Sequence, residues 1–500
     1  MGRIAVAALV SLWVIPISIL VNHIVPDPYM DEIFHIPQAQ QYCKGNFRSW
    51  DPMITTPPGL YYLSLAHVAS LFPGMLCAQV ASSFSDVCST AVLRSINGIL
   101  AVVCSILFYE IIIHLRPALD RRKATLCAVI LALYPLHWFF TFLYYTDVAS
   151  LTAVLAMYLA ALKKNYQFSA LLGVVSILIR QTNIIWMLFV ACTEIINITM
   201  VHQRDNVIVD DVAIRKNVTM GANLRKRKLG NAVDGANYFR TNTSTSSTAN
   251  ASGLLDEIQA ILISSWHLKY ELLVSFCPFF VVLVAFAAFI LLNGSVVLGA
   301  KEAHAVSPHL AQILYFSLVS AISMAPLHFT FSQAVNLFQL MWKNRPYCFL
   351  IGFLALTAGF LSVHFFSLAH PYLLADNRHY TFYLWRRIIG LHWSMKYILV
   401  PLYIYSWLSI FSILGRVQKK TGVLAYFLAS AAVLVPAPLI EFRYYTIPFY
   451  FLMLHSPIYD YRSWLLAGIL YIAINVFTMM MFLFRPFHWN HEPGIQRFIW

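Results

Sequence analysis

The sequence predicts an all-α polytopic membrane protein, and two observations carry that prediction. Hydrophobic residues make up 60% of the 500 and charged residues only 11%, with a mean hydropathy of +0.68. Soluble cores cannot hide that much apolar surface, so lipid must serve as part of the solvent. Apolar runs close to the roughly 20 residues that carry a helix across a bilayer recur along the chain, separated by short polar connections. The formal charge of +13 would suggest a nucleic-acid partner in a soluble chain. Here the basic residues sit in short stretches between apolar runs, as the positive-inside rule expects, so no polynucleotide partner is read.

Residues 4–21 form the first span, read as a retained anchor because no small-residue cleavage site follows it. Residues 23–91 are a long connection of mixed polarity, broken at Pro57-Pro58-Gly59, with amphipathic stretches such as 59–71 expected to lie on the membrane surface. A second span covers about 93–114 and ends in RPALDRRK, whose Arg116, Arg121, Arg122 and Lys123 mark a cytosolic face. Further basic connections at Lys163-Lys164, 225–228, 343–345 and 416–420 fall on that same side when spans are counted. FLYYTDVAS around Asp147, IRQTNIIW around Arg180, the stretch holding His304 and His309, LADNRHYTFY and IEFRYY fall on the other side. About 13 spans result, within a range of 12–14. Residues 202–266 read as a disordered cytosolic loop, rich in Asn, Thr and Ser. Its sequons at Asn217, Asn242 and Asn250 would then face the wrong way for glycosylation, and Asn293 lies close to a span end. No internal repeat of the transporter kind is evident.

The eight cysteines are dispersed without metal-ligand spacing, so neither a zinc site nor a disulfide framework is expected. Cys77 and Cys88 could bridge on an oxidising face, but are read as two free thiols.

Chemistry gathers where the first span ends, in YMDEIFHIPQAQQY. Charged residues there can simply mark a helix leaving the bilayer. The stretch continues, however, as a helix with Ile33, Ile36 and Ala39 towards lipid or protein, which would hold Asp31 and Glu32 at the mouth of a cavity between helices. A carboxylate so placed suits a general base taking a proton from a sugar hydroxyl. A lipid phosphate leaves readily when arginines stabilise it, so a second carboxylate acting as acid is not required. Arg378, Arg443 and Arg180 lie on the acidic side near span ends. An Arg at membrane depth costs about 2.5 to 3.5 kcal/mol on insertion scales and so calls for a partner. Each could be closed off in an internal salt bridge, Arg443 with Glu441 and Arg378 with Asp376, or could capture a headgroup phosphate. His35, Asp147, His309, Asp376, His379 and Glu441 are supporting candidates, with a structural hydrogen-bonding role the simpler reading for Asp147, His309 and His379.

YMDEIFHIPQAQQYCKGNF, WDPMITTPPGLYYLS, FLYYTDVAS, RQTNIIW, LLADNRHYTFYLWRR, LIEFRYYTIPFY and the terminal IQRFIW, in this order from the first span to Trp500, resemble the dolichyl-phosphate-glucose-dependent α-1,2-glucosyltransferases of the endoplasmic reticulum. The departures are the longer loop at 202–266 and Pro57, where the family pattern has Leu. The resemblance implies a GT-C glycosyltransferase fold with an essential acid in the first lumenal loop, which makes Asp31 the base and Glu32 its support or alternate. It further implies an inverting transfer of glucose from dolichyl-phosphate glucose to the diglucosylated, dolichyl-diphosphate-linked oligosaccharide, with residence in the endoplasmic-reticulum membrane and the active site lumenal. No cofactor and no metal is expected. The alternatives are a dolichyl-phosphate-mannose-dependent transferase and a transporter or channel component; the latter would need ionisable residues running along spans, not gathered at their ends.

Overall fold

The computed structural model describes residues 2–72, 87–221 (side chains to 203), 253–302, 307–343, 345–458, 461–490 and 494–500. Cys77, His304, Asn242, Asn250 and the basic run 225–228 lie outside them, and Asn217 falls where the backbone alone is described.

Helices account for the ordered elements. The first is α1 (Gly2–Ile24), followed by two short helices of the first connection, α2 (Glu32–Cys43) and α3 (Gly59–Leu71), and then α4 (Thr90–Leu115). After them come α5 (Arg121–Ala132), α6 (Thr146–Leu162), α7 (Tyr166–Ile179) and α8 (Asn183–Gly221). Among the described residues seven helices are long and apolar enough to cross a bilayer, and four apolar helices of 10–17 residues are shorter, including α6 and α7. The all-α polytopic expectation thus holds, with several of the expected spans formed by helices shorter than a full bilayer crossing. Proline and short polar breaks divide what hydropathy reads as uniform runs, as where Pro135 opens a separate six-residue helix after α5.

The disordered reading of 202–266 also needs correction at both ends. Helix α8 continues to Gly221, and α9 (Leu254–His267) is fully formed. Asp256 starts the latter by accepting a hydrogen bond from the Gly253 N–H at 2.7 Å, a local cap that the polar composition around it hid.

Helix α4 packs on both α1 and α6, and α6 on α7. At the edge, α10 (Lys269–Asn293) leaves Phe280, Val281, Leu291 and Leu292 exposed, the condition expected where the neighbour is lipid. The described part of the first connection, α2 and α3 included, is seated on the bundle. In α2, Ile36 and Ala39 are buried, whereas Ile33, expected beside them, is 56% exposed. Gly59 opens α3 directly against the last turn of α7, where any side chain would collide with the Leu178 carbonyl.

A disulfide between Cys43 and Cys88 closes this connection, with Cα atoms 6.7 Å apart. Cys88 is thus not a free thiol. Its partner is the cysteine ending α2, a pairing that linear spacing gave no means of choosing.

Candidate active site

A cavity of about 750 Å³ opens at the ends of these helices, large enough for a substantial substrate. Its lining brings together Asp31, His35, Arg180, Asp376, His379, Glu441 and Arg443, with Tyr145 and Thr146 between them. Phe286 and Ile290 of α10, with Ile184, Ile185 and Trp186 of α8, give it an apolar wall. Segments more than 400 residues apart in the chain thus converge, as the span count required.

Asp31 holds the N-cap position of α2 but makes no side-chain cap bond. Its carboxylate is directed instead at Arg443, whose Nη1 donates to Oδ2 at 2.8 Å, and it stays 42% exposed. The preceding Met30 has φ 56°, in the left-handed region that a residue with a Cβ seldom adopts. Such strain persists where the surroundings enforce it, and here it turns the chain so that Asp31 enters the cavity.

Glu32, next in sequence, is sealed away. It is fully buried, receives both Nε (2.8 Å) and Nη2 (2.6 Å) of Arg94, and also accepts the backbone N–H groups of Tyr29 and Tyr144. A carboxylate with all those donors has no opening for a substrate hydroxyl.

Arg443 is 12% exposed and central. Besides Asp31 it donates to Glu441 at 2.9 Å and stands 3.8 Å from Asp147, which in turn accepts from Arg180 at 2.8 Å. Burial works against the Arg443 charge, but Glu441, Asp31 and Asp147 overcome it, so the guanidinium stays firmly protonated. For Asp31 burial acts to raise the pKa, and the charge of Arg443, helped by His35 and the Arg443 hydrogen bond, more than reverses this and keeps the carboxyl below its ordinary range. Burial holds the His35 imidazole below its usual value despite Asp31 close by, and its Nδ1 meets the Tyr61 hydroxyl at 2.7 Å.

Arg378 is placed differently from expectation. It lies outside the cavity lining, its Nε and Nη2 donating to Asp376, its Nη1 to Gln496, with the guanidinium 4.5 Å from the Trp489 ring centroid. Asp376 and His379 of the same loop do reach the cavity, and the His379 Nδ1 lies 3.0 Å from the Trp500 carbonyl oxygen. His309 is fully buried between the Pro438 carbonyl and the Leu368 N–H, and burial pushes its pKa down to about 4. It is a packing residue.

Arg94, Asn97 and Tyr145 escaped the reading of the sequence. A single Arg near the start of an apolar span was itself a signal, since such a charge demands a partner.

The arrangement defines a class: an all-α polytopic membrane protein whose cavity joins the accessible Asp31 carboxylate and two arginines to an apolar wall. Within that class, the chain belongs to the DIE2/ALG10 family, which matches residues 25–454. It is 60% identical over 509 residues to an Arabidopsis thaliana protein named Dol-P-Glc:Glc(2)Man(9)GlcNAc(2)-PP-Dol alpha-1,2-glucosyltransferase, covering the whole of both chains. Proteins of the same name from Mus musculus and Homo sapiens are 33% and 34% identical, across 95% of this chain and 93% of theirs. No solved structure matches the chain.

Proposed function

We propose that this protein transfers glucose from dolichyl-phosphate glucose to the diglucosylated, dolichyl-diphosphate-linked oligosaccharide, forming an α-1,2 bond. The names of its full-length relatives support the substrates and linkage. The observation that carries the chemistry is the contrast between two neighbouring carboxylates: Asp31 opens to the cavity beside Arg443, and Glu32 does not.

In the transfer, the acceptor hydroxyl oxygen attacks C1 of glucose and its proton passes to the Asp31 carboxylate. The C1–O bond to phosphate breaks, and its electron pair leaves with the dolichyl phosphate. Attack opposite a β-linked phosphate inverts the centre and gives the α product. Arg443 and Arg180 line the cavity where they can bear the phosphate charge, so no metal is assigned to that task. The apolar wall of α8 and α10 suits the first isoprene units of the donor.

The endoplasmic-reticulum membrane, with the cavity on the lumenal side, is the setting this reading assigns. Two features support it: the Cys43–Cys88 disulfide sits on the connection carrying Asp31, and disulfides belong to oxidising compartments; the basic connections fall on the opposite side. Asp31→Asn is the test. Purified variant protein should keep its folded state and lose glucose transfer by about 100-fold or more, the contribution of a general base; transfer at the wild-type rate would remove Asp31 from the mechanism.

A further inference from the structure

We infer that the buried Glu32–Arg94 pair is the device that aims Asp31, a positioning role for both residues in the glucose transfer proposed above. The inference rests on the reading of Asp31 as base and uses none of the contacts that Asp31 itself makes with Arg443.

The pair is more than a salt bridge. Arg94 lies in the first turns of α4, 1% exposed, and its Nη1 donates to the Val25 carbonyl at 2.6 Å, while its Nη2 reaches the Asp27 carbonyl at 3.0 Å as well as Glu32. The residues leaving α1 are therefore tied to the start of α4. Glu32 takes the next step. Its Oε2 accepts the Tyr29 N–H at 3.0 Å and its Oε1 accepts the Tyr144 N–H at 2.6 Å. The Tyr29 bond spans Met30, the residue held at φ 56°. That left-handed turn is unfavourable for methionine, and two bonds between Tyr29 and Glu32 close it: the Glu32 carboxylate accepts the Tyr29 N–H, and the Glu32 backbone N–H donates to the Tyr29 carbonyl at 3.2 Å.

A second brace closes the frame. Asn97, three residues after Arg94 and so on the same face of α4, donates from Nδ2 to the carbonyls of Leu143 (2.6 Å) and Tyr145 (2.9 Å). The Tyr145 hydroxyl in turn accepts the Asp31 N–H at 3.2 Å. One helix face thus fixes both the turn that presents Asp31 and the loop that lies under it. With Glu32 spent on this frame, its neighbour is left to face the substrate.

A carboxylate displaced by about 1 Å from its productive position loses on the order of 100-fold in rate. Glu32→Gln keeps one acceptor oxygen and loses the other together with the charge, so kcat should fall by about that factor while the KM for dolichyl-phosphate glucose stays near the wild-type value. The discriminating readout is a rescue. Met30→Gly removes the penalty for the left-handed turn, so the Met30→Gly/Glu32→Gln protein should recover about tenfold in kcat over Glu32→Gln alone. The same Met30→Gly change in an Asp31→Asn background should recover nothing.

Wild-type protein is assayed alongside; if it transfers no glucose, the proposed function fails, independently of this inference. If wild-type transfers glucose and Glu32→Gln does so equally fast, the positioning role is overturned. It is also overturned if Glu32→Gln is as inactive as Asp31→Asn and Met30→Gly restores nothing, because Glu32 would then be handling the proton itself. Should Glu32→Gln fail to fold, Glu32→Met/Arg94→Met replaces the pair with apolar side chains of similar volume, a change that buried ion pairs commonly tolerate. That folded double variant should still be slow, since nothing would hold the Tyr29 and Tyr144 N–H groups; wild-type kcat in it would reduce the pair to a stability element.

Discussion

Replacing Arg443 by Met tests the charge arrangement of the cavity most directly. The guanidinium is 12% exposed, 2.8 Å from Asp31 and 2.9 Å from Glu441, so its loss leaves two carboxylates, and Asp147 behind them, facing one another. Removing one partner of a buried pair typically costs 3–5 kcal/mol, and because the Asp31 side chain is 42% exposed the lower end, about 3 kcal/mol, is expected here. In catalysis the loss of a charged donor to the departing phosphate should reduce kcat by about 100- to 1000-fold, as removal of an oxyanion-hole donor does. The pH profile separates the two effects. Burial acts to raise the Asp31 pKa, and Arg443 is the main reason it ends below the ordinary carboxylate range. A lowered carboxylate keeps its base form, and the stability of its ion pair, above the unfolded pKa and loses both only as pH falls through the lower folded value. Wild-type kcat/KM should therefore hold its acid limb below the usual carboxylate range. In Arg443→Met burial acts unopposed by that charge, the limb moves up in pH, and the difference in melting midpoint from wild type narrows in acid. Arg443→Lys, which keeps a charge but not the planar fork, should hold the limb near its wild-type position while still slowing transfer. Purified enzyme assayed with dolichyl-phosphate glucose from acid to neutral pH gives all three. An acid limb that does not move in Arg443→Met would refute the assignment of Arg443 as the group that sets the Asp31 charge.

Two further predictions concern the walls of the site. The Cys43–Cys88 bridge closes a loop of sequence separation 45, for which chain-entropy arguments give about 4 kcal/mol, so Cys88→Ser or reductant should lower the melting midpoint and speed amide exchange in α2; unchanged exchange there would show the bridge to be dispensable. Gly299 packs where the connection after α10 docks on the first loop, with the Leu298 N–H donating to Thr55 and the Ala300 N–H to Pro52. A methyl at Gly299 would meet the Pro52 carbonyl; Gly299→Ala should cost about 1–3 kcal/mol through forced displacement and raise the donor KM, and a variant with unaltered KM would detach this loop pair from substrate binding.

The parts of the site visible in the sequence were visible because lipid makes polar residues conspicuous. In an apolar chain, YMDE, YYTD, RQTN, ADNRH and EFRYY stand out as interruptions, and their side of the membrane comes from counting. Residues of these stretches line or adjoin one cavity at one end of the bundle. Helix breaks are harder to see, because a span divided at Pro135 has the same hydropathy as a continuous one.

Side-chain direction is where pattern stops carrying information. Asp31 and Glu32 are adjacent and chemically alike, and their separation into an exposed acid and a buried one depends on the sign of φ at Met30, which no periodicity encodes. Arg378 belongs to a loop that does reach the cavity, but Asp376, Gln496 and Trp489 turn it away towards a C-terminal segment more than a hundred residues distant. The role of Arg94 was nevertheless legible. An arginine inside a span needs an acidic partner, and the rule that singles out Arg180, Arg378 and Arg443 applies equally to Arg94, four residues into the second long helix. Applied there, it leads to the acids beside the neighbouring span end. Of the two, the one paired with Arg94 is sealed from the cavity, so an inconspicuous charge in a transmembrane helix separates buried Glu32 from Asp31, which lines the cavity.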